Sequence, residues 1–163
     1  MANQEHLEIL QKGIVIWNEW REANPDIRPD FTFTNLSGYD LTDANLTGAD
    51  LQEADLQGVK AQQVHFFSAN LQQANLGTAD LGHGDLIAAN LHKANLCGTN
   101  LQNAQLIMAN LQGANLSEAN LVGADLRDAN FNKTNLTGAT FGENEMEGAN
   151  IPGLPVGNGV SPS

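Results

Sequence analysis

The chain has 163 residues, with 19 acidic and 7 basic side chains, and its formal net charge at pH 7 is −12. Such an acidic chain is not expected to bind nucleic acid directly, because phosphate groups require a basic protein surface. The sequence has no secretory signal, no apolar run of about twenty residues and no partner for its single cysteine, so we expect a cytoplasmic protein without membrane association.

Residues 1–30 are predicted to form an amphipathic helix and a connector. From about Gln4 to Ala23, apolar residues follow a three- and four-residue spacing that places them on one helix face: Leu7, Leu10, Ile14, Trp17 and Trp20. Asn24-Pro25 ends this helix. We expect the helix to cap the open end of the following repeats, where unpaired edge groups would otherwise recruit other chains. A helix that binds a partner through its tryptophans is the alternative.

Residues 31–151 repeat every five residues without insertion or deletion. Each unit has a small residue, Asn or Asp, Leu, and two variable residues, as in Ala44-Asn45-Leu46-Thr47-Gly48. A helix advances about 100° per residue, so a five-residue step would scatter the leucines around it. A strand of period two would alternate them between opposite faces. A coil that turns a corner every five residues points every Leu inward, and four units then close a square layer.

The remaining positions of the unit fit the same square coil. The Ala two residues before each Leu is predicted to face the axis, where the corner leaves little room. Gly is frequent at the last position, which suits turns with unusual dihedral angles. Stacked coils would pair as parallel ladders, and about six coils at ~4.8 Å spacing would form a rod.

This A(D/N)LXX unit resembles the pentapeptide repeat family over residues 31–151. The resemblance implies an all-β solenoid, a right-handed four-sided parallel β-helix, and the repeat length and the amphipathic pattern add about six coils and an N-terminal helix as the cap. The leader Trp17-Asn18-Glu19-Trp20-Arg21, followed by Asn24-Pro25, is similar to leaders of cyanobacterial members.

Residues 152–163 are rich in Gly, Pro and Ser, and we predict that they form a disordered tail. No second helix is available to cap the last coil. Either Leu154 and Val156 fold back over that coil, or two molecules meet there. The resemblance implies that an end-to-end homodimer through the C-terminal end is possible.

Residues twenty positions apart are expected to stack in columns on the outer faces, and one column is apolar. Phe67, Ile87 and Ile107 would lie one above another, with Met108 beside Ile107; these four residues are called the apolar patch. An aligned exposed stripe requires an explanation, whereas isolated apolar residues do not. Either the stripe packs against itself, or it docks another protein.

The same face carries acids in the column that precedes the inward residue. Asp85 and Asp125 are the acidic site candidates there, and His65 is predicted to stack next to Asp85. An apolar strip edged with acids suits a partner that is partly basic and partly hydrophobic.

Residues 60–67 are the least regular part of the array. Ala61 replaces an inward Leu, and Val59 and Val64 replace inward Ala residues. We predict that these substitutions exchange volume within the core.

No catalytic, cofactor or metal site is predicted. His65, His83 and His92 are assigned to three different outward faces, and a column filled with leucine should leave no concave pocket. We therefore predict a non-enzymatic interaction scaffold with an unidentified protein partner. The family resemblance implies one alternative, a DNA mimic that modulates a type II topoisomerase. A structural role in a larger assembly is another.

Overall fold

The computed structural model describes residues 2–142 and 144–151. Two helices come first, α1 (Gln4–Gln11) and α2 (Ile14–Ala23), and the repeats follow. The tail predicted for residues 152–163 lies outside the described residues.

Parallel single-residue bridges connect the repeats, and each joins residues twenty positions apart, from Asp30↔Asp50 to Asn130↔Asn150. Four pentapeptides therefore complete one coil, as predicted. In the described part of the chain the bridges are isolated, so each side of the square is one bridge followed by one turn.

Each corner is a β-turn that begins at the inward large residue. In one of them, the Ala54 N–H donates to the Leu51 carbonyl at 3.0 Å. Glu53, the third residue of this turn, has φ of 56°. The same position has positive φ in every described unit with a regular turn, whether it holds Gly or a residue with a side chain. A residue other than Gly is tolerated at this position because its N–H donates a hydrogen bond to the next coil. The Glu53 N–H, for example, donates to the Gln72 carbonyl at 2.9 Å.

The core is a column of leucines and small residues along the axis. From Phe31 to Phe131 the inward large residues have exposed fractions of 0%, and the inward alanines have 0–1%. The inward assignment is therefore confirmed. The predicted exchange of volume is also confirmed, because Val59, Ala61 and Val64 are all buried. Gly84 lies in the same column as Val64, and a Cβ there would come within 3.0 Å of the Leu81 carbonyl oxygen and 3.2 Å of Leu86 Cδ1, so the site leaves little room for a side chain.

The prediction of one continuous N-terminal helix is wrong. The helix breaks at Lys12-Gly13, where Gly13 has φ of 111°, a conformation that side-chain-bearing residues rarely adopt. The break allows both segments to bury an apolar residue, Leu10 of α1 and Trp17 of α2, with exposed fractions of 3% and 0%.

Both helices contact the first coil. The Trp17 ring lies 5.5 Å from the Phe31 ring, and its Nε1–H donates to the Asn45 carbonyl at 2.9 Å. The Arg21 guanidinium donates to the Ile27 carbonyl at 2.6 Å and to the Thr47 carbonyl at 3.1 Å. These contacts join α2, the connector and the coil.

His6 is a buried imidazole at this junction, and its contacts require the neutral form. Its Nδ1 accepts from the Asp30 N–H at 3.0 Å, and the Asn3 amide lies 3.3 Å from Nε2. Burial lowers the pKa of His6 below its ordinary value, and the Arg21 charge acts in the same direction, against the opposing effects of Glu5 and Asp30.

We expect His6 to make the free energy of unfolding decrease as the pH falls below about 6.5, the ordinary pKa of histidine. In that range the unfolded chain binds a proton that the folded chain excludes, so acid favours unfolding. Denaturant melts between pH 5 and 8 measure this slope. His6→Asn retains an acceptor without titrating, so its slope should be smaller than that of the parent chain. Identical slopes would contradict the assignment.

Candidate functional site

The backbone places the apolar patch in consecutive coils, as the twenty-residue spacing predicts. The Ser68 N–H donates to the Ile87 carbonyl at 2.9 Å, and the Ala88 N–H donates to the Ile107 carbonyl at 2.8 Å. Phe67, Ile87 and Ile107 are therefore stacked at the coil spacing of about 4.8 Å.

The apolar patch is shielded in its middle and open at its edges. Ile87 and Ile107 are half-buried, whereas Phe67 is 44% exposed and Met108 is 63% exposed. Two large side chains of the patch are therefore accessible, and two are partly shielded.

On three faces the outward polar columns are amide ladders. Each Asn Nδ2 donates to the Oδ1 of the residue one coil earlier, at 2.8–3.4 Å. The donors are Asn70, Asn90, Asn110 and Asn130 on one face, Asn75, Asn95, Asn115 and Asn135 on the next, and Asn100 and Asn120 on the third. These side chains satisfy one another and need no external partner.

The fourth face, which carries the apolar patch, has no such ladder among its described residues. Its bridged column, here called the polar column, contains Asn45, His65, Asp85, Gln105 and Asp125. Their different lengths and chemistries prevent one side chain from repeating the contact of the next. This face therefore combines exposed apolar surface with polar groups that are not engaged between coils.

The two predicted acidic site residues differ in availability. Asp125 forms a two-point ion pair with Arg127, with Nη2 to Oδ2 at 2.6 Å and Nε to Oδ1 at 2.9 Å. The Arg127 contact lowers the pKa of Asp125. Among the described residues, only the Ile87 N–H donates to Asp85, through Oδ1 at 3.0 Å. Of these two acids, Asp85 is therefore the one that remains open to a partner.

The polar column forms one wall of an open groove of about 490 Å³ at the corner between two faces. This corner groove is lined by Asp43, Gln63, His65, His83, Asp85 and Gln105. The prediction that a column filled with leucine leaves no concave pocket is therefore wrong at this corner, where the open groove lies. His65 and His83 lie on different faces, as predicted, but both line this groove because the two faces meet at the corner.

A second groove of about 220 Å³ continues the corner toward the helices. It shares Asp43 and His65 with the corner groove and adds Asn18 and Glu22 of α2, with Asn45 and Thr47.

Within residues 2–142 and 144–151, no group of three or more His, Cys, Asp or Glu side chains could hold a metal ion. Neither described helix is long and apolar enough to cross a membrane.

Comparison with known proteins agrees with this geometry. The Pentapeptide repeats family matches with eight copies over residues 30–60, 65–103 and 104–142. The chain belongs to the pentapeptide repeat family. Members of the family form right-handed four-sided β-helices, and the twenty-residue bridges of this chain have the same periodicity.

Several solved pentapeptide repeat structures are similar to the chain. Rfr23 from the cyanobacterium Cyanothece 51142 is 29% identical, with a TM-score of 0.51, and the match covers 79% of this chain and 95% of Rfr23. A thylakoid lumen protein from Arabidopsis thaliana is 31% identical over 57% of this chain and 68% of its own, with a TM-score of 0.49.

QnrB1, a plasmid-mediated fluoroquinolone resistance protein, is 17% identical in one of its trypsin-treated forms. That match covers 76% of this chain and 64% of QnrB1, with a TM-score of 0.45. A likeness of this size does not indicate a shared function. No curated protein matches the chain significantly.

Proposed function

We propose that this pentapeptide repeat protein is a non-enzymatic scaffold that docks another protein on the apolar patch. The observation that carries the proposal is the coincidence of two features on one face. Phe67 and Met108 are exposed above half-buried isoleucines, and the amide ladder of the other faces is missing among the described residues there. In this proposal α1 and α2 cap the first coil, and the roughly six coils act as a rigid support, which has little entropy to lose on binding.

The spacing of the patch favours an amphipathic helix as the docked segment. Phe67, Ile87 and Ile107 span two coil intervals, which is about 9.6 Å. Two turns of a helix parallel to the rod rise about 10.8 Å, so side chains at helical spacing can meet all three residues. A strand returns to the same face about every 6.7 Å and would be out of register by about 4 Å over the same distance.

Charge favours a basic partner. The chain carries a net charge of −12, and Asp85 stands beside the patch with one carboxylate oxygen unengaged. Opposite charges across an interface accelerate association and disfavour acidic competitors. The proposed partner is therefore a protein with an exposed amphipathic helix that carries Lys or Arg next to its apolar stripe.

Replacing Phe67, Ile87 and Ile107 with Thr tests the docking proposal. Thr47 already occupies this column, so the fold should be retained, and we expect the melting temperature to change by only a few degrees. A protein captured by the parent chain from an extract of the source organism should be lost with the triple variant. Quantitative pull-downs and thermal melts measure the two effects.

The matched control is Gln57→Thr/Ser117→Thr on the opposite face, where Thr137 shows that the column accepts this residue. The control should bind like the parent chain. If the folded triple variant captures the same protein as the parent, the apolar patch is not the docking site.

The other predicted roles gain no specific support. A DNA mimic requires a continuous anionic stripe, but from Lys60 to Ser117 only Asp80 and Asp85 are acidic, and Lys93 lies between the same limits. Modulation of a type II topoisomerase therefore stays an alternative, as does a structural role in an assembly. The C-terminal homodimer and the cytoplasmic location also stay predictions.

A further inference from the structure

The corner groove borders the apolar patch directly. In three successive coils one inward residue separates the groove from the patch. Phe66 lies between His65 and Phe67, Leu86 lies between Asp85 and Ile87, and Leu106 lies between Gln105 and Ile107. A segment that covers the patch can therefore place a neighbouring side chain in the groove.

The groove offers hydrogen-bond acceptors that the protein leaves unused. Among the described residues, the side chains of His65, His83 and Gln105 form no hydrogen bond with another part of the chain, and Asp85 uses Oδ1 only. On the ladder faces the equivalent polar column is engaged from coil to coil, for example Asn75 with Asp55 at 2.9 Å. The contrast is chemical as well as geometric, because the groove presents carboxylates, amide oxygens and imidazole nitrogens together.

The lining is acidic and, as far as the described residues show, contains no lysine or arginine. Asp43 and Asp85 belong to it, whereas the nearby Asp125 is neutralised by Arg127. A metal ion is not favoured, since the described residues include no adequate ligand cluster. A guanidinium group has five N–H donors in one plane, and it forms hydrogen bonds with carboxylate, amide and imidazole acceptors at once.

We propose that the corner groove binds the guanidinium group of an arginine side chain of the protein that docks on the apolar patch. This inference rests on the proposed function for the source of the arginine, but the recognition of guanidinium can be measured without the partner. The volume of about 490 Å³ accommodates the group and its aliphatic stem.

Nuclear magnetic resonance titration of the full chain with N-acetyl-L-arginine amide tests the inference. We expect saturable shifts confined to His65, His83, Gln105 and their neighbours, with a dissociation constant on the order of millimolar. N-acetyl-L-citrulline amide has nearly the same shape but no charge, and it should produce shifts at least fivefold smaller at equal concentration.

The variant Asp43→Asn/Asp85→Asn should bind the arginine probe at least tenfold more weakly than the parent chain. Asn103 and Asn45 occupy the same two columns, so the fold accepts asparagine at both positions. The inference is overturned by shifts spread over acidic residues on every face, by equal responses to the citrulline probe, or by undiminished binding to the double asparagine variant.

The Phe67→Thr/Ile87→Thr/Ile107→Thr variant separates the two proposals. It should lose the captured protein but retain the arginine response, because it leaves every groove residue in place. If the triple variant still captures the protein and responds normally to arginine, only the docking proposal is refuted. If the parent chain shows no response to the arginine probe, only the groove proposal is refuted.

Discussion

Leu96→Asp is expected to abolish cooperative unfolding. Leu96 has an exposed fraction of 0%, and Leu76 and Leu116, twenty positions away on either side, have the same value. An ionised carboxylate there would have no partner and no water, at a cost of several kcal/mol. The cavity left by the missing leucine atoms adds about 3 kcal/mol to the destabilisation of the folded state. Because small domains have only about 5–15 kcal/mol of stability in total, the folded state should not survive.

Thermal melts followed by circular dichroism measure this effect, and the adjacent position supplies the control. Cys97 is outward and half-buried, and Ser117 occupies the same column, so Cys97→Ser should melt like the parent chain. A parent-like melt for Leu96→Asp would be incompatible with a core built from inward leucines.

Trp17→Ala should be the most damaging change in the helices. Trp17 is fully buried, contacts the Phe31 ring, and donates to the Asn45 carbonyl. Removing a buried tryptophan costs about 3–5 kcal/mol, and the Asn45 carbonyl also loses a donor. For a chain of this length, we expect the melting temperature to fall by about 10 °C.

Aggregation is expected to accompany that loss of stability. If the helices cap the first coil, as proposed, loosening them exposes its unpaired edge, and exposed edges recruit other chains. Light scattering during the melt detects this. Val15→Ala on the same helix is the control, because Val15 is 72% exposed and its truncation should change little. A soluble Trp17→Ala protein with a parent-like melt would show that the helices are not a cap.

The five-residue period predicted the repeats well because it constrains every unit in the same way. Neither a helix nor a strand can bury Leu91, Leu96 and Leu101 together, whereas a four-sided coil does, and all three are fully buried. The helical region was predicted less well. Leu10, Ile14 and Trp17 have helical spacing across Gly13, so the periodicity does not show that the chain bends there.

The candidate site was only partly predictable. The twenty-residue spacing placed Phe67, Ile87 and Ile107 in one column, since column membership depends on counting alone. The corner groove was missed because residues were grouped by face, whereas His65 and His83 belong to different faces that meet at one corner. The departure of the polar column from Asn was the sequence signal that could have indicated it.

The engagement of Asp125 was also not predictable from face assignments. Asp125 and Arg127 are two positions apart, and only the side-chain conformations show that they form an ion pair. This pairing removes Asp125 from the set of available acids and leaves Asp85 as the acid next to the patch.

Site-specific photo-crosslinking measures most directly whether the apolar patch is the docking face. A benzophenone amino acid is placed at position 107, within the patch, or at position 117, on the opposite face. We expect position 107 to crosslink one protein in extracts of the source organism, through an amphipathic helical peptide that contains arginine, and we expect position 117 not to do so. Equal crosslinking at both positions, or crosslinking at position 117 alone, would contradict this expectation.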